Sequence, residues 1–195
     1  MSLPDYLIEA FQDLPVDQTI NVLMRHSARF PIESDAEVFT AQLTPEGKEL
    51  AYNFGEWLSE KFEFGKIISS PVNRCIETGI SIANGAGNGK VVLPDPVLSH
   101  PNENGEYDQM DEFLENGIWP ERISKIADKM FPVEETNKLN FFITHDTVLA
   151  LMAAYWLGID IRAPQDWPKF LEPMFFWKSK GKMMISFRGN EFCVD

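Results

Sequence analysis

The chain has 195 residues, 44% of them hydrophobic, and sets 17 Lys and Arg against 30 Asp and Glu, a formal charge of −13 with His neutral. That is enough apolar material for one core, while an acid excess of this size argues against nucleic acid or an anionic membrane surface as partner, since both need a basic face. No apolar run approaches the roughly 20 residues of a spanning helix. The N-terminus carries Asp5, Glu9, Asp13 and Asp17 before its first cation, Arg25, the reverse of a signal peptide. Cys75 and Cys193 are too few for a disulfide framework and lack a zinc-type cluster, so reduced thiols and a cytoplasmic setting are expected.

No repeat, low-complexity tract or long linker divides the sequence, so residues 1–195 are expected to form a single domain. Residues 4–13 read as a helix with Pro4 in its first turn and Leu7, Ile8 and Phe11 as an apolar stripe. Thr19 to Met24 is β-branched and apolar but too short for a helix, hence a buried strand. Thr44-Pro45-Glu46 supplies an N-cap, a first-turn proline and an early carboxylate for a helix over 45–61. Lys66-Ile67-Ile68 predicts a second strand. The next helix starts from Ser69-Ser70-Pro71 and runs through Ser81, with Ile76, Ile80 and Ala83 inward.

After a glycine-rich break, Val91 to Leu93 predicts a third strand. A Pro-rich acidic stretch follows to about residue 118, then a helix from Pro120 to Met130. Phe141 to Thr144 reads as the fourth strand, and Val148 to Leu157, apolar nearly all round before Gly158, as a buried helix with a glycine cap. Met174 to Lys178 and Met183 to Phe187 flank a turn and predict a hairpin. Trp119, Trp167, Phe175 and Phe176 are read as core. Alternating strands and helices imply an α/β fold, a three-layer α/β/α sandwich whose mostly parallel sheet gains an antiparallel edge.

Ligands of such sheets bind beyond the carboxyl ends of the strands. Three of these exits carry chemistry: Arg25 to Pro31, Ser69 to Arg74, and His145-Asp146. Arg25, Arg29 and Arg74 gathered at one edge would offer planar donors matched to phosphate oxygens, and Arg74 would lie in the first turn of its helix, where backbone N–H groups favour anions. His26 in that cationic setting would keep a ring nitrogen unprotonated and nucleophilic. His145 can donate to a phosphoryl oxygen, and Asp146 can hand a proton to a leaving alkoxide.

Plainer readings stand beside these. An Arg-His pair in a loop is usually a solvated surface, but three mutually repelling cations at one sheet edge need an anion to justify them. Asp146 is also a suitable N-cap for the buried helix, a task Thr144 could share. Ser70-Pro71 is by itself a helix start, and His100 is read as structural or rim. Three histidines with no i, i+4 pair and no cysteine cluster do not point to a metal, and no cofactor is implied.

Arg25-His26-Ser27-Ala28-Arg29-Phe30-Pro31 resembles the R-H-G-x-R-x-P signature of the histidine phosphatase superfamily, with its phosphoglycerate mutase-like fold, and specifically of the acid-phosphatase branch. Leu43 to Gly47 is similar to that family's L-T-x-x-G, Ser69 to Arg74 to its S-S-P-x-x-R, and His145-Asp146-Thr147 to its H-D-T, in the family's order. The resemblance implies His26 as phosphorylated nucleophile, Arg25, Arg29, Arg74 and His145 as the phosphate pocket, and Asp146 as proton donor. Transfer to His26 and then to water would need no metal. Ser27 departs from the family's glycine, so the backbone there must accept a side chain. The chain also lacks room for the large second domain of many secreted acid phosphatases, which leaves short loops to roof the pocket.

The best candidate roof is 95–121, which holds Asp95, Glu103, Glu106, Asp108, Asp111, Glu112, Glu115 and Glu121 and no Lys or Arg. Such a run is ordinarily a solvated face. Over a pocket, its field would disfavour polyanions and tolerate small phosphomonoesters or basic phosphopeptides. The leading reading is a phosphomonoesterase. A mutase or phosphohistidine-protein phosphatase would instead take its donor from Glu103 or Glu106, and an inactive phosphate-binding or scaffolding relative is the non-enzymatic alternative. Oligomeric state is not legible.

Overall fold

The Thr19 to Met24 run extends by one residue at Arg25 to form β1 (Ile20–Arg25), all six of whose residues are buried. Such a strand needs cover on both faces. A computed structural model describes residues 2–99, 115, 121–130, 137–159 and 164–194. β1 lies inside a seven-stranded sheet with β2 (Phe64–Ser69), β3 (Val92–Pro94), β4 (Leu139–Thr144), β5 (Pro173–Ser179), β6 (Lys182–Phe187) and β7 (Asn190–Val194), in the order β3-β2-β4-β1-β5-β6-β7. The first four strands run parallel, and β5, β6 and β7 add an antiparallel edge beginning on β1.

Alternation along the strands divides the core in two. Val22 and Met24 of β1, Phe141 and Ile143 of β4, and Phe175 and Trp177 of β5 face one side. There they meet α1 (Asp5–Gln12), α2 (Pro45–Ser59) and α3 (Asn73–Gly85). Leu23, Phe142, Met174 and Phe176 face the other side, under α4 (Glu121–Met130) and α5 (Asp146–Leu157). Phe175 and Phe176 are thus core, whereas Trp167 is only partly buried and Trp119 lies outside the described residues. No helix among the described residues is long and apolar enough to cross a membrane.

The caps follow the sequence with two exceptions. Thr44 caps α2, its Oγ1 accepting from Gly47 N at 3.0 Å with Pro45 next in line, and Gly158 closes α5 at φ 61°. Asp146, however, is the first residue of α5 rather than its N-cap; that position falls to His145, whose side chain makes no capping bond, and Thr144 Oγ1 instead donates to Leu98 O at 2.7 Å. The carboxylate still sits in the first turn, where the helix dipole favours it. In α3 the buried stripe is Cys75, Thr78, Gly79, Ile82 and Ala83, and Ile80 is exposed. The helix begins later than the Ser-Pro signal suggests, at Asn73, and turns Arg74 inward. A β-carbon on Gly55 would lie 2.1 Å from Ile82 O, so α2 and α3 approach too closely there for any other residue.

Candidate active site

Strand register brings three chain exits to one edge. Arg25 lies opposite Thr144 and Ser69 opposite Ile143. His26 N then donates to Thr144 O at 2.9 Å and Ser70 N to Ile143 O at 2.8 Å, so residues 26, 70 and 145 leave the sheet side by side.

His26 is almost wholly buried, 1% exposed. Its Nδ1 lies 2.7 Å from Ser27 O, a group that only accepts, so Nδ1 carries the proton. Nε2 receives Arg74 Nε–H at 3.0 Å, so it presents a lone pair. Arg74, 2% exposed, also donates from Nη1 to Val38 O at 2.5 Å and from Nη2 to His145 Nδ1 at 3.0 Å. His145 therefore carries its own proton on Nε2 and offers it to Ser70 Oγ at 3.0 Å. The two imidazoles lie 5.6 Å apart, edge to face. Cys75 Sγ packs against Thr144 O and His145 Nε2, and burial pushes its thiol up to about 12, which keeps it out of thiolate chemistry.

Arg25 closes the opposite side. Its Nη2 pairs with Asp146 Oδ2 at 2.7 Å, its Nη1 donates to Pro168 O at 2.7 Å, and its guanidinium carbon lies over the Phe170 ring, 4.1 Å from the centroid. Nε is buried without a hydrogen-bond partner. Arg29 is farther out, Nη1 donating to Phe30 O at 2.9 Å, yet its charge acts on both Arg25 and Arg74. Ser27 meets no steric conflict: fully buried, it donates Oγ–H to Gly47 O at 2.7 Å and its N–H to Thr78 Oγ1 at 3.0 Å, tying this loop to α2 and α3.

Burial and the neighbouring guanidinium of Arg74 lower the His26 pKa to about 3, so the imidazole is neutral over the whole physiological range. Burial alone would raise Asp146, but the Arg25 guanidinium and hydrogen bonds from Trp167 and Thr147 outweigh it and hold the carboxyl below its usual range. The histidine has a stability consequence. As pH falls from 7 the unfolded chain protonates His26 near 6.5 while the folded chain does not until about 3, so its stabilising contribution is complete above 6.5 and is lost through that window. Between pH 6.5 and 4.5 it should remove about 2–3 kcal/mol from the wild type and nothing from His26→Gln. Urea unfolding at both pH values measures this, and equal losses in the two proteins would contradict it.

The structure thus brings buried His26, Arg25, Arg74 and His145 together with partly exposed Asp146 in one cluster, with Arg29 at its margin. Glu103, Glu106 and His100 lie outside the described residues. So does most of 95–121; Asp95, which is described, pairs with Lys129. Sequence reasoning missed Val38 and the Trp167 to Phe170 segment, whose carbonyls and rings hold the arginines. Trp167-Pro168 was visible, but nothing local marks a loop that meets residue 25 from so far along the chain. Among the described residues no group of three or more His, Cys, Asp or Glu is arranged to hold a metal ion.

The model of the histidine phosphatase superfamily (branch 1) matches residues 22–116. No curated protein matches the sequence. Among solved structures, phosphoglycerate mutase from Bacillus anthracis str. Sterne superposes with a TM-score of 0.58 at 15% identity, covering 92% of this chain and 93% of its own. A phosphoserine phosphatase variant from Entamoeba histolytica, in complex with phosphoserine, gives 0.58 at 16% identity over 86% and 95%. Bacillus stearothermophilus YhfR gives 0.59 at 18% over 88% and 97%. At such identities the likeness is one of fold, and the acid-phosphatase likeness rests on the motifs alone. With the model match across two of its strand exits and a phosphoglycerate mutase-like fold throughout, the chain is similar to the histidine phosphatase superfamily.

Proposed function

We propose that the protein is a phosphomonoesterase that passes a phosphoryl group to His26 and then to water. The observation that carries this reading is the tautomer of His26: Nδ1–H is held by Ser27 O, and Nε2, unprotonated at neutral pH, faces the arginines. An incoming phosphate dianion draws the Arg74 guanidinium toward its oxygens and off Nε2, freeing the lone pair. Nε2 attacks phosphorus, and the P–O bond to the leaving group breaks with its electron pair on oxygen. Asp146 supplies the proton that oxygen takes. The dianion itself prepares the donor, since it competes for Arg25 and adds negative charge beside the carboxyl, both of which raise the Asp146 pKa. In the second step water attacks the phosphohistidine, Asp146 takes the water proton, and the N–P electron pair returns to Nε2.

Small monoesters or phosphopeptides are the proposed substrates, handled in the cytoplasm. The test is a screen over sugar phosphates, phosphopeptides, aryl phosphates and inositol polyphosphates, with His26→Ala as control. Turnover of monoesters that vanishes in the control, and declines toward alkaline pH as the donor loses its proton, supports the reading. A rate rising steadily to alkaline pH, or polyphosphates turned over fastest, would contradict it. The Arg25–Asp146 ion pair favours one second reading, because a carboxyl held ionised leaves the donor to Glu103 or Glu106, as in a mutase or phosphohistidine-protein phosphatase. Asp146→Asn and Glu106→Gln, made separately, distinguish the two, for only loss of the true donor stops turnover of substrates with poor leaving groups.

A further inference from the structure

The segment between the 3-10 turn Pro164–Asp166 and β5 lies beyond the residues that match the family model, yet it grips the first catalytic exit at four points. Glu172 O accepts from Arg25 N at 3.2 Å and Pro168 O from Arg25 Nη1 at 2.7 Å. Leu171 N donates to His26 O at 3.4 Å. The Phe170 ring lies 4.1 Å beneath the Arg25 guanidinium and 5.9 Å from the His26 ring.

The segment is held in a shape its own residues do not favour. Leu171 has φ 58°, a left-handed backbone at a γ-branched residue with a fully buried side chain. Such a conformation persists only when its surroundings over-determine it, and here they do. Tyr6 of α1 donates its hydroxyl to Phe170 O at 2.6 Å. Glu172 Oε2 accepts from Lys169 N at 2.7 Å, and Arg188 donates to both oxygens of the same carboxylate, at 2.7 and 3.0 Å. Two distant elements, α1 and the end of β6, therefore converge on five residues whose outward product is the placement of one aromatic ring.

We infer that Phe170, tied down by Tyr6, is a positioning residue for phosphoryl transfer: its face fixes the plane of Arg25, so that Nη2 meets Asp146 while the unpartnered Nε is left for a phosphate oxygen. This rests on the proposed function. A flat aliphatic surface would not hold the guanidinium in plane, because the attraction comes from the ring quadrupole and weakens with rotation.

The experiment compares wild type, Phe170→Leu, Phe170→Tyr and Tyr6→Phe in the full chain, titrating inorganic phosphate by calorimetry and measuring kcat/KM for an alkyl phosphate against pH. Phe170→Leu should weaken phosphate binding about tenfold and move the alkaline limb of the pH profile upward, since Asp146 loses a well-placed Arg25. Phe170→Tyr should restore both, and Tyr6→Phe should move both in the same direction by less. Phosphate affinity and pH limb unchanged in Phe170→Leu, with only the melting temperature altered, would overturn the proposal and leave a structural residue. Absence of turnover in the wild type would sink the phosphatase reading while the phosphate titration still decides the role of Phe170; absence of phosphate binding in the wild type overturns both.

Discussion

Replacing Arg74 by Lys is expected to lower kcat/KM by about a thousandfold, roughly 4 kcal/mol of transition-state stabilisation. Three donors on one rigid plane reach His26 Nε2, Val38 O and His145 Nδ1. A single ammonium can neither span those acceptors nor swing as a fork onto two phosphate oxygens. The charge is retained, so the loss reports geometry rather than attraction. Steady-state kinetics on a monoester with a poor leaving group should show the deficit chiefly in kcat, because the fork is needed most when charge builds on the transferring group. A deficit of less than tenfold would mean that Arg74 only adds positive potential.

Gly47→Ala should fail for a steric reason. A β-carbon there would sit 2.0 Å from Ala28 O, the carbonyl that accepts Thr44 N at 3.1 Å, and Gly47 O is also the acceptor for Ser27 Oγ. Backbone on both sides must move, which should destabilise the fold by about 2–3 kcal/mol and lower the melting temperature by about 5–10 °C. Displacement of the loop that carries His26 should also lower turnover by about a hundredfold. Thermal melts and kinetics together check this, and an alanine variant with native stability and activity would show the contact to be easily relieved.

Much of this site is written in local patterns. The strands around Ile20, Ile67 and Phe141 announce themselves as short apolar runs, and once four of them alternate with helices the exits at 25–31, 69–74 and 145–146 must converge on one sheet edge. Ser27 could not be judged from its neighbours, because its acceptance depends on Gly47 and Thr78, which other elements bring to it. Spacing alone points Ile80 inward, whereas the buried face of α3 is chosen by how closely Gly55 and Gly79 let neighbours approach. β7 (Asn190–Val194) leaves little mark in the sequence because an edge strand with one open side needs little hydrophobicity. The Phe170 platform shows the same limit: its meaning lies in contacts with Arg25 and Tyr6, more than 140 residues away in the chain.

Whether an imidazole nitrogen carries the phosphoryl group can be measured on the intact protein. After brief incubation with a 32P-labelled monoester and denaturation in alkali, the label should remain on wild-type protein, be released by acid, and map to the peptide containing His26. It should be absent from His26→Ala and accumulate in Asp146→Asn supplied with a good leaving group. Label that survives acid, maps elsewhere, or persists in His26→Ala would contradict a phosphohistidine at this position.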